Sequence, residues 1–424
     1  MTAAVSRIDH DEFFALKNAL NRGAKSFRDL VLRSAGLFPT DVLRFLEVQL
    51  ANNTFDVVAI RRLIAEARTN GPMTGLPQGH GLALPHPLDA EWRFTDLTAD
   101  YLIDLAIDAT SPADLILLVG VPSVAIAAAR RDDDRQYFVL GEHNIISDGV
   151  ARYTAEDGRF LHDGIGERKA GAVIVDPPWY LAQFEEMLGQ ASHHCRPGGL
   201  IFVSAPGEGV RPGIREDLAR IAEAASRAGL VFNGENKGAV AYRTPFFELN
   251  ALRAAGIGAW LPDWRRGNLV TYRKTSSGVT WPVVRKAPSF ELTISGVRAR
   301  LLESDDHSEE LTPLCGGEVF PSVSRRAPGR AEASLWTSGN RAFKAPKRLT
   351  LFAMLELAVR KKLLPKRLEA ELSLLRNHCP IDAVEPLIQK LNELVDREAA
   401  EAASLLGAAA WERSANDARF LNAS

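Results

Sequence analysis

The stretch AGAVIVDPPWYLAQF, residues 170 to 184, runs through six apolar residues into Asp176, Pro177, Pro178, Trp179 and Tyr180. Consecutive prolines lack amide donors and resist helix, so they carry the chain stiffly out of a strand. A carboxylate on such a backbone can orient the N–H of an amine that must attack an electrophile, and a proline carbonyl can accept a second N–H. An aromatic face beside them can hold a base or an ammonium group. These five residues are the candidate catalytic set.

A second set surrounds them in sequence. In VGVPS, Gly120 ends an apolar run, and Pro122 and Ser123 open a helix. Such a turn lets a ligand approach the backbone and meet free helix amides. It lacks the later glycines of G-x-G-x-x-G, so it suits a carboxylate- or ammonium-bearing ligand better than a dinucleotide. Glu142 and Asn144 lie in LGEHN, where an acid about 20 residues after the turn can accept both hydroxyls of a ribose. Asp163 in LHDG can meet an adenine amino group, and equally reads as an Asp-Gly turn. Trp92 and Arg93, beside Glu91 in LDAEWRFT, are candidate substrate contacts or part of a lid, and Trp92 equally suits packing on the sheet. His193, His194 and Cys195 lack a fourth ligand at metal spacing, so no metal is expected. Asp132 to Asp134 read as a solvated surface.

The elements that must position these residues follow from periodicity. Residues 1–75 have helical spacing and form a small helical, winged-helix-like domain, with Thr40 or Asp41 as a helix cap. Residues 76–110 begin rich in Gly and Pro and read as a linker or lid. From 111 to 275, short apolar runs alternate with helical segments: DLILLVG, QYFVL, RFLHDG, AGAVIV, GGLIFVSA, LVFNG and NLVTYRK. That alternation predicts an α/β fold, a doubly wound Rossmann-like sheet. Residues 275–290 are a second linker. Residues 290–424 form a mixed, mainly helical accessory domain, with FELTISGVRARLLE as a strand-forming segment. Within it, Trp336, Arg341, Phe343, Lys344, Lys347 and Arg348 can stack on bases and pair with phosphates, or simply form a solvated basic face.

Composition narrows the classes. The 424 residues are 46% hydrophobic and 25% charged with a formal net charge of −2, which argues against a global polyanion-binding field. No apolar run approaches the roughly 18 residues that span a bilayer. The three cysteines are scattered, and the N-terminus carries no signal-peptide core, so a cytoplasmic location is expected.

On these residues the stretch from Asp114 to Pro206 resembles a class I S-adenosylmethionine-dependent methyltransferase of the amino-group type, whose fourth strand ends in Asp or Asn, Pro, Pro and an aromatic. In motif order it is most similar to the branched-chain polyamine synthases, which carry a winged-helix-like N-terminal domain and Asp-Pro-Pro-Tyr. Those enzymes follow the first glycine with aspartates, where this chain has Val121, Pro122 and Ser123. The resemblance implies S-adenosylmethionine as cofactor, with the decarboxylated form as the alternative. It implies transfer to an amino nitrogen of a small molecule, a nucleic-acid base or a protein. Aminopropyl transfer, adenine N6 methylation with nucleic acid held by the N- or C-terminal domain, and a non-catalytic scaffold on a degenerate fold are the alternatives.

Overall fold

The computed structural model describes residues 10–34, 36–53, 55–71, 82–89, 91–140, 159–161, 165–211, 213–276, 289–303, 310–315, 319–325 and 327–407. The chain divides into two compact units, one of residues 1–71, 92–244 and 257–284, the other of 72–91, 245–256 and 285–424.

The first unit begins with four helices, α1 (His10–Asn21), α2 (Phe27–Arg33), α3 (Pro39–Asn52) and α4 (Val57–Arg68). Ser26 caps α2 by accepting the Asp29 amide, and Asp56 caps α4 by accepting those of Val58 and Ala59. The expected cap at Thr40 or Asp41 is displaced. Pro39 takes the first position of α3, where a missing amide costs nothing, and Phe38 is the cap residue. No strand occurs among the described residues up to Gly71.

The 76–110 linker is corrected over its second half. Arg93–Phe94 forms a short strand, β1, and Asp96–Asp108 forms helix α5, capped by Thr95. In LTADYLIDLAID the residues Leu102, Ile103 and Ala106 recur at helical spacing and are buried. Then follow β2 (Leu115–Val119), α6 (Pro122–Ala129), β3 (Gln136–Leu140), β4 (Phe160–Leu161), β5 (Ala170–Val175), α7 (Leu181–His194), β6 (Cys195–Ala205), α8 (Ile214–Arg227), β7 (Leu230–Arg243) and, after residues 245–256, β8 (Arg266–Lys274). The strand expected in RFLHDG is the two-residue β4.

These strands make one eight-stranded sheet in the order β1-β7-β8-β6-β5-β2-β3-β4. Pairs among β2 to β6 are parallel, and β8 runs antiparallel to both β6 and β7. This is a doubly wound, Rossmann-like α/β sheet with antiparallel strands added beside β6. Every residue of β2 and β5 is buried, because helices cover a parallel sheet on both faces. The chain reverses its direction of winding at β2, so the crevice beyond the C-terminal ends of β2 and β5 lies at the topological switch point.

The second unit holds helix α9 (Phe246–Ala254) and an antiparallel five-stranded sheet, β11-β13-β12-β10-β9. Its strands are β9 (Ser289–Ile294), β10 (Val297–Leu302), β11 (Thr312–Pro313), β12 (Leu335–Thr337) and β13 (Ala342–Lys344). The strand-forming FELTISGVRARLLE is the β9–β10 hairpin, with Ile294 paired to Val297 across a two-residue turn. Helices α10 (Lys347–Arg360), α11 (Glu369–His378) and α12 (Glu385–Leu406) complete it. Among the described residues no helix is long and apolar enough to cross a membrane.

The proposed base-stacking face in this unit is corrected. Trp336 and Phe343 are buried, and Arg341 is 3% exposed, paired with Glu398 at 3.2 Å and with Glu401 at 2.7 Å. Lys344 and Lys347 stay near the surface, paired with Glu332 and Glu303. The chain uses Trp336, Arg341, Phe343, Lys344 and Lys347 in its own core and ion pairs, and Arg348 is exposed. A larger buried network lies nearby in the same unit. Arg298 reaches Asp89 at 2.7 Å and Glu291 at 2.6 Å, and Arg300 pairs with the same two acids.

Candidate active site

Asp176 follows β5 directly, and its amide donates to the Val119 carbonyl at 3.3 Å, which fastens the motif to the end of β2. Pro177 is buried. Pro178, Trp179 and Tyr180 are half-buried, and the Pro178 carbonyl accepts the Tyr180 amide at 2.7 Å. Tyr180 is the cap residue of α7. The prolines thus form a stiff step from strand to helix, as their chemistry requires.

The Asp176 carboxyl is met by hydroxyls. Tyr242 of β7 donates to its Oδ1 at 2.6 Å, and Ser204 of β6 hydrogen-bonds both the Tyr242 hydroxyl and the carboxyl. Burial pushes the Asp176 pKa up to about 7, against the opposing pull of the Tyr242 hydrogen bond, the Arg265 charge and Ser204. The Tyr242 phenol is held well above its ordinary value by burial and by Asp176, so it stays a proton donor. Enclosure of the carboxyl is deep, yet Asp176 as a residue keeps part of its surface open to solvent.

Aromatic rings wall this carboxyl. Trp179 and Trp92 each meet Tyr242 edge-on, with centroids 5.8 and 6.3 Å away. Between the two indoles lies the guanidinium of Arg265, 4.0 Å from the Trp179 centroid and 4.4 Å from that of Trp92. It is placed there by the sheet, because the Tyr242 amide donates to the Arg265 carbonyl at 3.1 Å just before β8 begins. Two residues on, Gly267 faces the same indole. A Cβ at 267 would stand 2.9 Å from Trp179 Cζ2 and 3.0 Å from the Ala205 carbonyl oxygen, so the ring can lie against this strand only because the side chain is missing.

Gly120, after β2, has φ +65°, a conformation that other residues rarely adopt, and a Cβ there would also stand 2.6 Å from Met187 Cε. Its amide donates to the Leu140 carbonyl at 3.0 Å. The assignment of Ser123 to a ligand is corrected. Ser123 is 3% exposed and its hydroxyl accepts the Phe94 amide of β1 at 3.2 Å, so it anchors a strand. Pro122, also buried, starts α6. Arg93 sits in β1 opposite Arg243. Glu142, Asn144 and Asp163 lie outside the described residues.

Other sequence expectations resolve away from this place. Asp133 is half-buried and accepts from the Tyr137 hydroxyl at 2.9 Å and from Arg159 at 3.1 Å, whereas Asp132 and Asp134 are exposed. His193 and His194 end α7 instead of lying in a loop, and Cys195 starts β6. Among the described residues no group of three or more His, Cys, Asp or Glu could hold a metal ion.

The structure therefore brings Asp176, Trp179 and Trp92 together, and adds Tyr242, Ser204 and Arg265, which sequence reasoning missed. DWRRGN carries two adjacent arginines after a tryptophan, a weak signal at best, and AVAYRTP reads as an ordinary strand end.

No family model matches the chain, and no curated protein does. Among solved structures it is similar to the branched-chain polyamine synthase of Thermus thermophilus in complex with N4-aminopropylspermidine and 5′-methylthioadenosine. That similarity is at 15% identity and a TM-score of 0.45, over 65% of this chain and 90% of that one. It is also similar to a putative RNA methyltransferase of Pyrococcus horikoshii at 13% identity and a TM-score of 0.32, over 44% and 87%. A geranyl diphosphate C-methyltransferase of Streptomyces coelicolor matches at 13% identity and a TM-score of 0.28, over 42% and 77%. The likeness is one of fold.

Proposed function

We propose that this chain is a transferase that moves a methyl group from S-adenosylmethionine to a nitrogen held at Asp176. The observation that carries the reading is the placement of that carboxyl. It stands at the C-terminal edge of β5, one strand from the glycine turn at the switch point, set by two hydroxyls in a residue that is itself only partly buried.

The described part of the donor side is the Gly120 turn after β2, where the backbone takes φ +65°; the Ser123 hydroxyl is already used by the Phe94 amide. When bound, S-adenosylmethionine supplies a methyl carbon activated by its sulfonium. The Asp176 carboxylate accepts one N–H of the acceptor and so aims the lone pair away from itself. The proton that the acceptor nitrogen must shed on transfer would pass to Asp176. A carboxyl with a pKa near 7 can take and release that proton at neutral pH. Tyr242 and Ser204 hold the carboxyl in place, and alignment of this kind can supply about 7–11 kcal/mol of a barrier.

Calorimetry with S-adenosylmethionine and S-adenosylhomocysteine tests the reading. Binding of either, retained in Asp176→Asn while methyl transfer is lost, is the expected result. Absence of binding to both at millimolar concentration ends it.

A further inference from the structure

Trp264 is 2% exposed, and its indole meets that of Trp92 edge-on, with centroids 5.8 Å apart. Phe38, the cap residue of α3, lies against the same indole at 5.4 Å. Trp92 in turn meets Tyr242, whose hydroxyl donates to Asp176. A line of rings therefore runs from the N-terminal helices to the carboxyl, all within the first unit.

We propose that Trp264, backed by Phe38, is the positioning residue of the aromatic wall: it holds the Trp92 indole against Tyr242 and so keeps bulk water from Asp176. The inference rests on the transferase reading and gives the N-terminal helices a part in its acceptor site.

The segment that carries Trp264 is stitched to those helices. The Gly258 and Ala259 amides donate to the Ala67 carbonyl of α4 at 2.9 and 3.1 Å, and the Gly71 amide donates to the Gly258 carbonyl at 3.0 Å. A Cβ at 258 would stand 2.6 Å from Asn70 Oδ1 and 2.8 Å from the Thr69 carbonyl oxygen, so the two stretches can lie this close only at a glycine. Arg28 of α2 pairs with Asp263 at 2.6 Å, next to the tryptophan. Toward the sheet, the Thr244 amide donates to the Pro262 carbonyl at 2.7 Å, two residues beyond Tyr242. The indole Nε1–H of Trp264 is buried and has no hydrogen-bond partner among the described residues. Buried polar groups are normally paired, so a polar contact is not what keeps a tryptophan here; the contacts of its ring are. An edge-on aromatic pair favours one mutual geometry, so the ring fixes the orientation of Trp92 as well as its depth.

The test needs no acceptor. Burial is the largest cause of the raised Asp176 pKa, about 7, and the groups that act against it are Tyr242, Arg265 and Ser204. A leucine at 264 adds no charge and removes none, so a lowered value there reads as water reaching the carboxyl. Tryptophan fluorescence of the full chain is titrated from pH 3 to 9, and the step that Asp176→Asn abolishes belongs to Asp176. Wild-type protein should show it near 7. Trp264→Leu and Phe38→Ala should move it down toward the ordinary 3.8, while Trp264→Phe and Phe38→Tyr, which keep a ring, should leave it near 7. Phe38 is half-buried, so Phe38→Ala decides where Trp264→Leu fails to fold. Leu63→Ala, which opens a cavity at a buried position of α4, should lower the melting temperature and leave the step in place. A step that stays near 7 in every folded variant lacking a ring, that falls equally in Leu63→Ala, or that is missing from wild type overturns the proposal. Failure of the transferase reading registers separately, as absence of S-adenosylhomocysteine binding to wild-type protein in calorimetry.

Discussion

Two buried carboxyls, Glu291 of the second unit and Asp176 of the first, are treated in opposite ways. In the second, Asp89 and Glu291 face Arg298 and Arg300 in a closed network, and the charges cancel. Burial acts to raise the Glu291 pKa, but the two arginines outweigh it and hold the carboxyl at about 2, while Arg298 is driven up by its acids. His86, fully buried beside them, is pushed down to about 3 by burial and by the arginines, so it stays neutral. Its Nδ1 accepts the Leu88 amide at 3.2 Å. In the first unit Asp176 has hydroxyls as hydrogen-bond partners and a guanidinium stacked nearby, and burial wins. A carboxyl held in its ionised form by two arginines, as Glu291 is, holds shape. An acid left near pH 7 can exchange a proton during a reaction.

The largest expected effect tests the locked half of that contrast. Asp89→Ala leaves two arginines short of a partner and should cost the second unit about 3–5 kcal/mol in urea unfolding, with S-adenosylhomocysteine binding unchanged. A cost near zero would break the contrast.

Next is Asp176→Asn, which should lower methyl transfer about 10²–10³-fold. The two acids also predict opposite pH responses. The folded pKa of Asp176 lies above its ordinary 3.8, so its contribution to stability falls as pH rises from about 4 through about 7, and Asp176→Asn should remove that fall. For Glu291 the folded value lies below 4.5, so its contribution is present above that pH and is lost as pH falls through about 2. Melting curves of wild type, Asp176→Asn and Glu291→Gln across pH 2 to 8 read both limbs.

Tyr242→Phe should have a smaller effect. It removes a hydrogen bond that lowers the Asp176 pKa, so the rising limb of transfer activity, expected near pH 7, should move to higher pH. A pH–rate profile unchanged in position would show that Asp176 does not govern that limb.

Much of the first unit was legible because buried parallel strands read as short apolar runs. LILLV and AGAVIV became β2 and β5, and Asp176 stands where AGAVIV ends. The partners of Asp176 were not legible, since Tyr242 comes from 66 residues further along and reaches it through sheet order. Arg341 shows the same limit. Its sequence neighbours suggest a basic face, yet it is neutralised by Glu398 and Glu401 on α12, 57 and 60 residues away. Charge patterning along a segment carries no record of the acids that fold brings to it. The helical period of residues 96–108 was present but stood next to a Gly- and Pro-rich run, and the boundary was placed too late.

Gly267 gives the Trp179 indole its seat against β8. The indole of Trp179 lies against a strand position with no side chain, and one added methyl there would press on the ring while leaving Asp176, Tyr242 and Arg265 chemically untouched. A single carbon gained at 267 would thus move the aromatic wall beside Asp176 and leave the hydroxyls that set that carboxyl in place.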